Sequence, residues 1–489
     1  MHRIGRIIAA VAALTGWSTW APTATAAQAK NVILMISDGA GYNTFQATSM
    51  YQGKVGSQPY EQPGWVKLAC STHPLMRYWY ASGTGQDAAL VYGPQQAWDS
   101  NAGEYGYVKG YDYLHMTATD SAAAATALST GQKTYVGAIN WTNSPSDIGT
   151  GIIATIAHVA RSEGRRVGVV TSVPWSHATP AALGGAHSDS RRNISEIANE
   201  MLNSPRLDVI MGCGHPGFDN DGEARTTDPA YWNYQWVGGQ ETWDRLVAGT
   251  HPAGWKLIQT KAEFEGLTGA ANPPGKLVGV PQVGSTLQQC RSGWSWDTPY
   301  ADASVATVPS LQTMTRGALN ALGRGTNGFF LMVEGGAVDW ANHDNEPGRM
   351  IEEQIDFNQA VQAVVDWVDA HSSWDETLVI VTADHETGLI WGPNSGSVPF
   401  QPLVDNGPGK VPGMYYNSTG HSSSLVPVYA RGPGADLLVG RAVRTDPIRG
   451  AYLDNTDVHS AMQSAIPEPA TLGLLLTGAI ALPRRRRAA

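Results

Sequence analysis

The chain has 489 residues, with 42 acidic and 32 basic side chains and a formal net charge of −10 at pH 7. This length suits one large α/β domain or two smaller ones, and the acidic balance argues against a nucleic acid as the partner. The 17 tryptophans argue against a disordered chain, and three cysteines allow at most one internal disulfide, which excludes a disulfide-stabilised scaffold.

The first 26 residues have the pattern of a secretory signal peptide. Arg3 and Arg6 precede an apolar segment at 7–14, and Ala24-Thr25-Ala26 has the small residues of a cleavage site, with 27–29 as a second option. The apolar segment is too short to span a membrane. We therefore expect an exported protein that loses residues 1–26.

Short apolar runs predict buried parallel strands at 32–36, 167–171, 209–211, 329–333 and 378–382. Helical patterns lie between them: one apolar stripe starts at Ile152 and Ile153 and ends before Gly164, and another runs from Ile351 to Val368. This alternation predicts an α/β layer fold with a mostly parallel sheet. Segments 51–116 and 216–309 are rich in Gly, Pro, Trp and Tyr, and we expect them to be insertions bordering the site or a partner surface.

An alanine-rich segment that ends at Gly131 begins with Asp120 and Ser121. Alanine is the strongest helix former, and Asp or Ser at its start supplies a cap. Ser121 is therefore expected at a helix N-terminus, where free N–H groups and the helix dipole favour an anion.

Carboxylates and histidines follow several of the predicted strands. Asp38 follows the first strand, Glu334 ends the strand at 329–333 and precedes Asp339 and His343, Asp384 and His385 follow the strand at 378–382, and His421 comes later. Because sites in open α/β sheets form beyond the carboxyl ends of the strands, we expect these side chains to converge. Taken singly, each residue also fits an ordinary turn or surface pair.

Four carboxylates at one sheet edge repel one another unless cations neutralise them. The three histidines supply nitrogen ligands that zinc prefers, and Asp339 and His343 share one helical face. The set contains oxygen and nitrogen but no sulfur, which suits a zinc pair and an oxygen-bound Mg²⁺. Two metals beside a serine at a helix N-terminus suit displacement at phosphorus.

These segments resemble the bacterial alkaline phosphatase family over about residues 31–466. The resemblance is carried by the blocks at 120–123, 179–182, 333–335, 339–343, 382–385 and 420–421. It implies a catalytic domain over 30–466, folded as a three-layer α/β sandwich with a large, mostly parallel central sheet. It also implies hydrolysis of small phosphate monoesters with two Zn²⁺ and one Mg²⁺ per chain, and a homodimer.

The resemblance also implies a role for each residue. Ser121 resembles the nucleophile that forms a phosphoserine. The ligands of the first zinc are Asp339, His343 and His421, those of the second zinc are Asp38, Asp384 and His385, and the magnesium site shares Asp38 and adds Thr179 and Glu334. Arg191 resembles the guanidinium that binds the substrate phosphate, with Arg192 as the neighbouring alternative.

Three residues are expected around these ligands rather than among them: Asp120, His177 and Trp340. His177 stands where some family members have Asp, and Trp340 where Lys or His is common. A tryptophan supplies neither a charge nor a metal bond. The identity of the third metal and the affinity for phosphate therefore stay open at this point.

The C-terminal segment 467–489 resembles a PEP-CTERM sorting tail. Pro467-Glu468-Pro469 precedes an apolar stretch and four arginines, a combination short for a permanent membrane helix. The resemblance implies transient insertion into the inner membrane and processing by an exosortase. Two alternatives to the leading function stay open: a phosphodiesterase or sulfatase of the same superfamily, or a non-catalytic surface protein that binds phosphate or metal.

Overall fold

The computed structural model describes residues 28–77, 85–103, 108–142, 151–225, 228 and 233–466. The predicted signal peptide and sorting tail lie outside these residues. No helix in the described ranges combines the length and the apolar character that crossing a membrane requires.

An eleven-stranded sheet forms the centre of the described fold, in the order β14-β15-β2-β13-β8-β1-β7-β3-β4-β6-β5. Seven of its ten neighbouring pairs are parallel, and the three antiparallel pairs lie toward the β14 edge. Two further two-stranded sheets pair β10 with β11 and β12 with β9. The strands are β1 (Asn31–Ser37), β2 (Val66–Ser71), β3 (Arg166–Pro174), β4 (Val209–Cys213), β5 (Lys256–Ile258), β6 (Leu277–Gly279), β7 (Phe329–Gly335), β8 (Thr377–Thr382), β9 (Glu386–Thr387), β10 (Ile390–Trp391), β11 (Tyr415–Tyr416), β12 (His421–Ser422), β13 (Val426–Arg431), β14 (Arg444–Asp446) and β15 (Gly450–Asp454).

Helices pack on both faces of this sheet. The helices are α1 (Tyr42–Gln52), α2 (Pro94–Ala97), α3 (Lys109–Met116), α4 (Ser121–Thr130), α5 (Ile156–Ser162), α6 (Ala178–Leu183), α7 (Ile194–Asn203), α8 (Gln240–Val247), α9 (Lys261–Leu267), α10 (Leu311–Leu322), α11 (Ala337–His343), α12 (Pro347–His371), α13 (Ala435–Arg441) and α14 (Asn455–Ala465). One layer contains α1, α9, α10 and α12, and the other contains α4, α5, α6 and α14. The fold is a three-layer α/β sandwich, as predicted.

The central strands are apolar because both of their faces are covered. Every residue of β1, β7 and β8 is buried, which is typical of parallel strands between two helical layers. All five predicted strands are confirmed, each within a few residues of its observed ends. The stripe from Ile351 to Val368 is also confirmed, within the 25-residue helix α12.

One sequence expectation needs correction, and two segments supply strands that the sequence pattern did not predict. The stripe assigned from Ile152 onward is wrong at its start, because Thr155 caps α5 and the helix begins only at Ile156. Ile152 is instead exposed and bridges to Trp141 in extended conformation. The two segments expected to be insertions supply sheet strands: β2 comes from 51–116, and β5 and β6 come from 216–309. These strands are three to six residues long and lack long apolar runs, so the sequence pattern did not reveal them.

Candidate active site

The register of the central strands brings the predicted polar residues to one sheet edge. In β1, Ile36 lies opposite Glu334 of β7 and Thr382 of β8. Asp38 therefore leaves the sheet level with Asp384 and two residues beyond Glu334. The turn after Asp38 requires a glycine, since Gly39 has φ +67° and a Cβ there would lie 2.6 Å from an Asp339 oxygen.

The predicted nucleophile lies where the sequence placed it, at the first residue of α4. Asp120 caps the helix by accepting from the Ala123 N–H at 3.0 Å. The Ser121 side chain is buried, and its Oγ lies 3.2 Å from Nε2 of His385. The hydroxyl thus lies at the positive end of a helix and beside a predicted metal ligand.

Asp38, Asp384 and His385 form one cluster of candidate ligands. His385 Nε2 lies 3.4 Å from Asp38 Oδ1 and 3.2 Å from Asp384 Oδ2. One atom from each residue falls within 4.8 Å of the others. Both Asp38 oxygens and Asp384 Oδ2 are buried without a hydrogen-bond partner in the described structure. Buried carboxylate oxygens are rarely left unpartnered, so this cluster fits a cation.

Asp339, His343 and His421 form a second cluster on the other side of His385. Nε2 of His343 lies 3.4 Å from Asp339 Oδ2 and 2.9 Å from His421 Nε2. The His385 and His421 rings stack with their centroids 3.7 Å apart, and Asp339, His385 and His421 also bring ligand atoms within 4.8 Å. The two clusters are therefore adjacent.

Backbone carbonyls orient His343 and His421. His421 Nδ1 donates to the Thr119 carbonyl at 2.9 Å, and His343 Nδ1 donates to the Thr419 carbonyl at 2.6 Å. With Nδ1 of each ring donating to a carbonyl, Nε2 of each ring faces the cluster, and Nε2 of the neutral His421 presents a lone pair. Nε2 of His343 faces Asp339 and becomes a ligand atom when it gives up its proton. Such outer hydrogen bonds are typical of metal-binding histidines.

The protonation of the site follows from burial and like charge. Burial, followed by the charges of Asp384, Asp339 and Glu334, raises the pKa of Asp38 well above its usual range. Burial also raises the pKa of Asp384 to about 6 and that of Glu334 to about 7. Carboxylates that would otherwise hold protons at neutral pH bind cations with release of those protons.

In the second cluster, the carboxylate pKa shifts downward rather than upward. Burial alone raises the pKa of Asp339, but the hydrogen bond from His343 and the nearby histidines outweigh it and hold the pKa well below its usual range. Burial lowers the pKa of His343, yet Asp339 raises it to about 9. Burial lowers the pKa of His385 and of His421 to about 4, so these two rings are neutral and available as ligands.

Thr179 and Glu334 offer only oxygen donors to a third candidate cluster, and the charge of Glu334 acts on Asp38. Thr179 Oγ1 and Glu334 Oε1 are buried and lack hydrogen-bond partners among the described residues, while Glu334 Oε2 accepts from the Thr171 hydroxyl. Hydroxyl and carboxylate oxygens suit a hard cation such as Mg²⁺. The residues present therefore fit the predicted third ion.

Arg191 is held beside the nucleophile helix by two partners. Its guanidinium donates to Asp120 Oδ2 at 2.9 Å and lies 3.0 Å from His177 Nε2. The neighbouring Arg192 is exposed. Asp120 therefore links the helix cap to the guanidinium, and among the two candidate arginines this geometry favours Arg191 as the phosphate ligand.

Two tryptophans flank His177. Its ring centroid lies 6.0 Å from that of Trp340 and 6.1 Å from that of Trp236. Burial and then the Arg191 charge lower the pKa of His177 to about 3, so the ring is neutral. Trp340 and Trp236 thus both lie beside His177, and Trp236 comes from a segment without a specific sequence signal.

Two further hydroxyls contact the site residues. Thr387 donates to Asp339 Oδ1 and lies 3.4 Å from Nδ1 of His385, and Thr171 donates to Glu334. Thr171 was predicted only as the last residue of a strand. A polar residue at the end of an apolar run was the one signal available for it.

Comparisons with known proteins agree on one family. A family model described as alkaline phosphatase matches residues 99–403. The chain is 29% identical over 459 residues to the alkaline phosphatase of Escherichia coli (strain K12), covering 86% of this chain and 84% of that protein. It is 33% identical over 285 residues to alkaline phosphatase 3 of Bacillus subtilis (strain 168), covering 57% of this chain. In the two Bacillus relatives matched, the chain spans about half of the relative's length.

Solved structures show the same fold. The cold-active alkaline phosphatase of a psychrophilic Shewanella species superposes with a TM-score of 0.60 at 24% identity, covering 90% of this chain and all of that one. The alkaline phosphatase of the Antarctic bacterium TAB5 superposes with a TM-score of 0.59 at 23% identity, covering 90% of this chain and 98% of that one. A variant of the TAB5 enzyme is described with Mg bound in its M3 site. Since the family model covers well over half of the sequence, this chain belongs to the alkaline phosphatase family.

Proposed function

We propose that the chain hydrolyses phosphate monoesters in two steps, through a phosphoserine at Ser121. The observation that carries this proposal is the buried Ser121 hydroxyl, which lies at the start of α4 and 3.2 Å from His385. It is flanked by the carboxylate clusters on one side and by the Arg191 guanidinium, which Asp120 holds, on the other. The family of the chain supports the same activity.

The donor sets support two Zn²⁺ and one Mg²⁺. Asp339, His343 and His421 would hold one zinc, since His343 Nε2 lies 3.4 Å from Asp339 and 2.9 Å from His421. Asp38, Asp384 and His385 would hold the other, since their ligand atoms lie within 4.8 Å of one another. Asp38, Thr179 and Glu334 would hold magnesium through oxygen donors. When bound, the ions supply positive charge that favours ionised hydroxyl groups and offsets charge on phosphoryl oxygens.

The side chains of this protein divide the remaining work. In the first step the Ser121 oxygen attacks phosphorus while the bond from phosphorus to the leaving alcohol's oxygen breaks, and the N-terminus of α4 favours the negative charge that collects there. In the second step water attacks the phosphoserine, its bond to Ser121 Oγ breaks, and inorganic phosphate leaves as the Ser121 hydroxyl regains a proton. Arg191 binds two phosphoryl oxygens with its planar N–H groups, and Asp120 and His177 fix that plane. The Thr119 and Thr419 carbonyls keep His421 and His343 in the tautomer that can bind metal.

Export, sorting and assembly extend the proposal beyond the described residues. We propose that residues 1–26 are removed on export and that 467–489 enter the inner membrane transiently before exosortase-type processing. A homodimer is proposed on the family resemblance alone.

The test uses purified mature protein with its metal content measured by mass spectrometry. A chromogenic phosphate monoester, the matching diester and the matching sulfate ester are compared in zinc and magnesium. We expect the monoester to react fastest. Brief reaction with labelled monoester at acid pH, followed by quenching, should place label on Ser121. A preference for the diester or sulfate, or no turnover in metal-replete protein, would contradict the proposal.

A further inference from the structure

A cavity of about 440 Å³, separate from the candidate active site, lies between α9 and α12 on the side of the sheet that carries α10. Its volume falls in the range of small-molecule sites. Four carboxylates line it: Glu265 from α9 and Glu352, Glu353 and Asp356 from α12. None of these four residues belongs to the candidate active site.

The charge on this cavity is only partly balanced. Glu352 is paired with Arg291 at 2.7 Å, and Asp356 accepts from the Leu311 N–H at 2.9 Å. Among the described lining residues Lys261 is the one cation, and its ammonium donates to the Ala306 carbonyl. Arg349, which is not on the lining, lies 3.9 Å from Glu352. Negative charge therefore exceeds positive charge on the described lining.

Glu353 supplies an unpaired oxygen on the buried wall. The residue is 3% exposed, and its Oε1 has no hydrogen-bond partner among the described residues. A buried carboxyl oxygen in that state is costly unless the group is protonated or meets a cationic ligand. This orphaned oxygen is an observation separate from the acidic composition, and it marks a carboxyl group that can exchange its proton for a cationic partner.

The placement of the acids on two helices and at different depths selects the kind of cation. In the described residues, the groups of three potential ligand atoms close enough for one metal ion include neither Glu353 nor its neighbours. Glu353 is buried, whereas Glu265 is exposed and belongs to the other helix, so the two lie at different depths. Tyr300, half exposed on the lining, adds an aromatic ring that can contact a cation.

We propose that this cavity binds a linear organic polyamine, with one ammonium group at Glu353 and a second toward Glu265. Charge-assisted hydrogen bonds to the two carboxylates, and contact of the alkyl chain with Val305 and Val308, would hold the ligand. The site is separate from phosphate-ester hydrolysis and does not depend on that activity.

Proton release provides a specific signature of this binding. Burial, followed by the charges of Asp356 and Glu352, raises the pKa of Glu353 to about 8, while Arg291 opposes the shift. Burial raises the pKa of Asp356 to about 6. The other titratable groups facing Glu353 are the Cys213 and Cys290 thiols and Tyr300, which are neutral at pH 7 because burial raises their pKa. A bound ammonium ionises Glu353, so polyamine binding at pH 7 releases a proton.

The experiment is calorimetric titration of the metal-replete full protein with spermidine at pH 7, in two buffers of different ionisation enthalpy. We expect saturable binding with release of up to one proton. Glu353→Gln should weaken binding at least about tenfold and abolish proton release, since a charge-assisted bond is lost. Glu265→Gln, at an exposed position that tolerates substitution, should weaken spermidine more than methylamine.

Glu241→Gln is the matched control, because Glu241 is exposed on α8 and pairs with Arg245 away from the cavity. It should leave binding unchanged, and ester hydrolysis checks that every variant is folded. The proposal is overturned if spermidine does not bind saturably at millimolar concentration, or if Glu353→Gln and Glu265→Gln both bind it as the parent does. Tighter binding of Ca²⁺ than of spermidine at the same carboxylates would also overturn it.

Discussion

Replacing Arg191 by lysine tests how the chain binds phosphate. The guanidinium donates to Asp120 at 2.9 Å and lies 3.0 Å from His177 Nε2, so its plane is fixed on two sides. Lysine keeps the positive charge but presents it as a point, without the two parallel N–H groups that match two phosphoryl oxygens. The substitution therefore removes one hydrogen bond and retains most of the Coulomb attraction.

The size of the effect follows from that single lost bond. A charge-assisted hydrogen bond contributes about 1.5–3 kcal/mol, which corresponds to about 10- to 150-fold in affinity. The Arg191 side chain is 25% exposed, so water screens part of the interaction and the lower end is expected. We predict that Arg191→Lys raises the inhibition constant of phosphate about 10- to 30-fold. kcat/KM should fall at least as far, because charge on the phosphoryl group develops in the transition state.

The assay is competitive inhibition by inorganic phosphate, measured beside kcat and KM for a chromogenic monoester. Arg192→Lys is the matched control, because Arg192 is adjacent but exposed. It should leave the inhibition constant unchanged. If Arg192→Lys weakens phosphate and Arg191→Lys does not, then Arg192 is the phosphate ligand and the reasoning from the Asp120 and His177 contacts fails.

Three further outcomes are expected. Ser121→Ala should abolish labelling of the chain by labelled monoester and lower kcat by several orders of magnitude; full activity would refute the nucleophile. Trp340→Lys should lower the inhibition constant of phosphate by adding a cation beside His177, and an unchanged constant would place position 340 away from the phosphate. Burial opposes the ionisation of Asp454, but Lys133, 3.0 Å away, lowers its pKa from 3.8 to about 2. The stabilisation from this ion pair is therefore complete above pH 3.8 and is lost as the pH falls through about 2. In urea titrations, the difference in unfolding free energy between the parent and Asp454→Asn should narrow over that pH range. A constant difference would refute the pairing.

The sequence was sufficient to predict the centre of the fold. The strands β1, β3, β4, β7 and β8 are continuous apolar runs because both faces are covered, and such runs are legible without a structure. The outer strands were not predictable for the opposite reason. β2 has partly exposed residues over its first half, and β5 and β6 have three residues each, so neither alternation nor length distinguishes them from loops.

The candidate site likewise contains residues that the sequence could predict and residues that it could not. Residues that directly follow a strand, such as Asp38 and Asp384, have their position fixed by the carboxyl end of that strand, so the register alone brings them together. Thr387 depends instead on the pairing of the short strands β9 and β12, and Trp236 depends on how its segment folds over that edge. Trp236 lies in a segment of aromatic and glycine residues with no periodicity, and only the folded chain brings its ring within 6.1 Å of His177.

The turn at residues 119–121 explains why the site is so strongly tied to α4. Thr119 accepts from the metal-ligand candidate His421, Asp120 binds Arg191, and Ser121 meets His385. Three successive residues thus position three different parts of the site, and a small shift of α4 would disturb all of them. The helix is buried over its full length and packs against α6 and α14. Its alanines therefore have a second purpose besides helix propensity, because their small side chains let neighbouring helices approach closely enough to hold that turn in place.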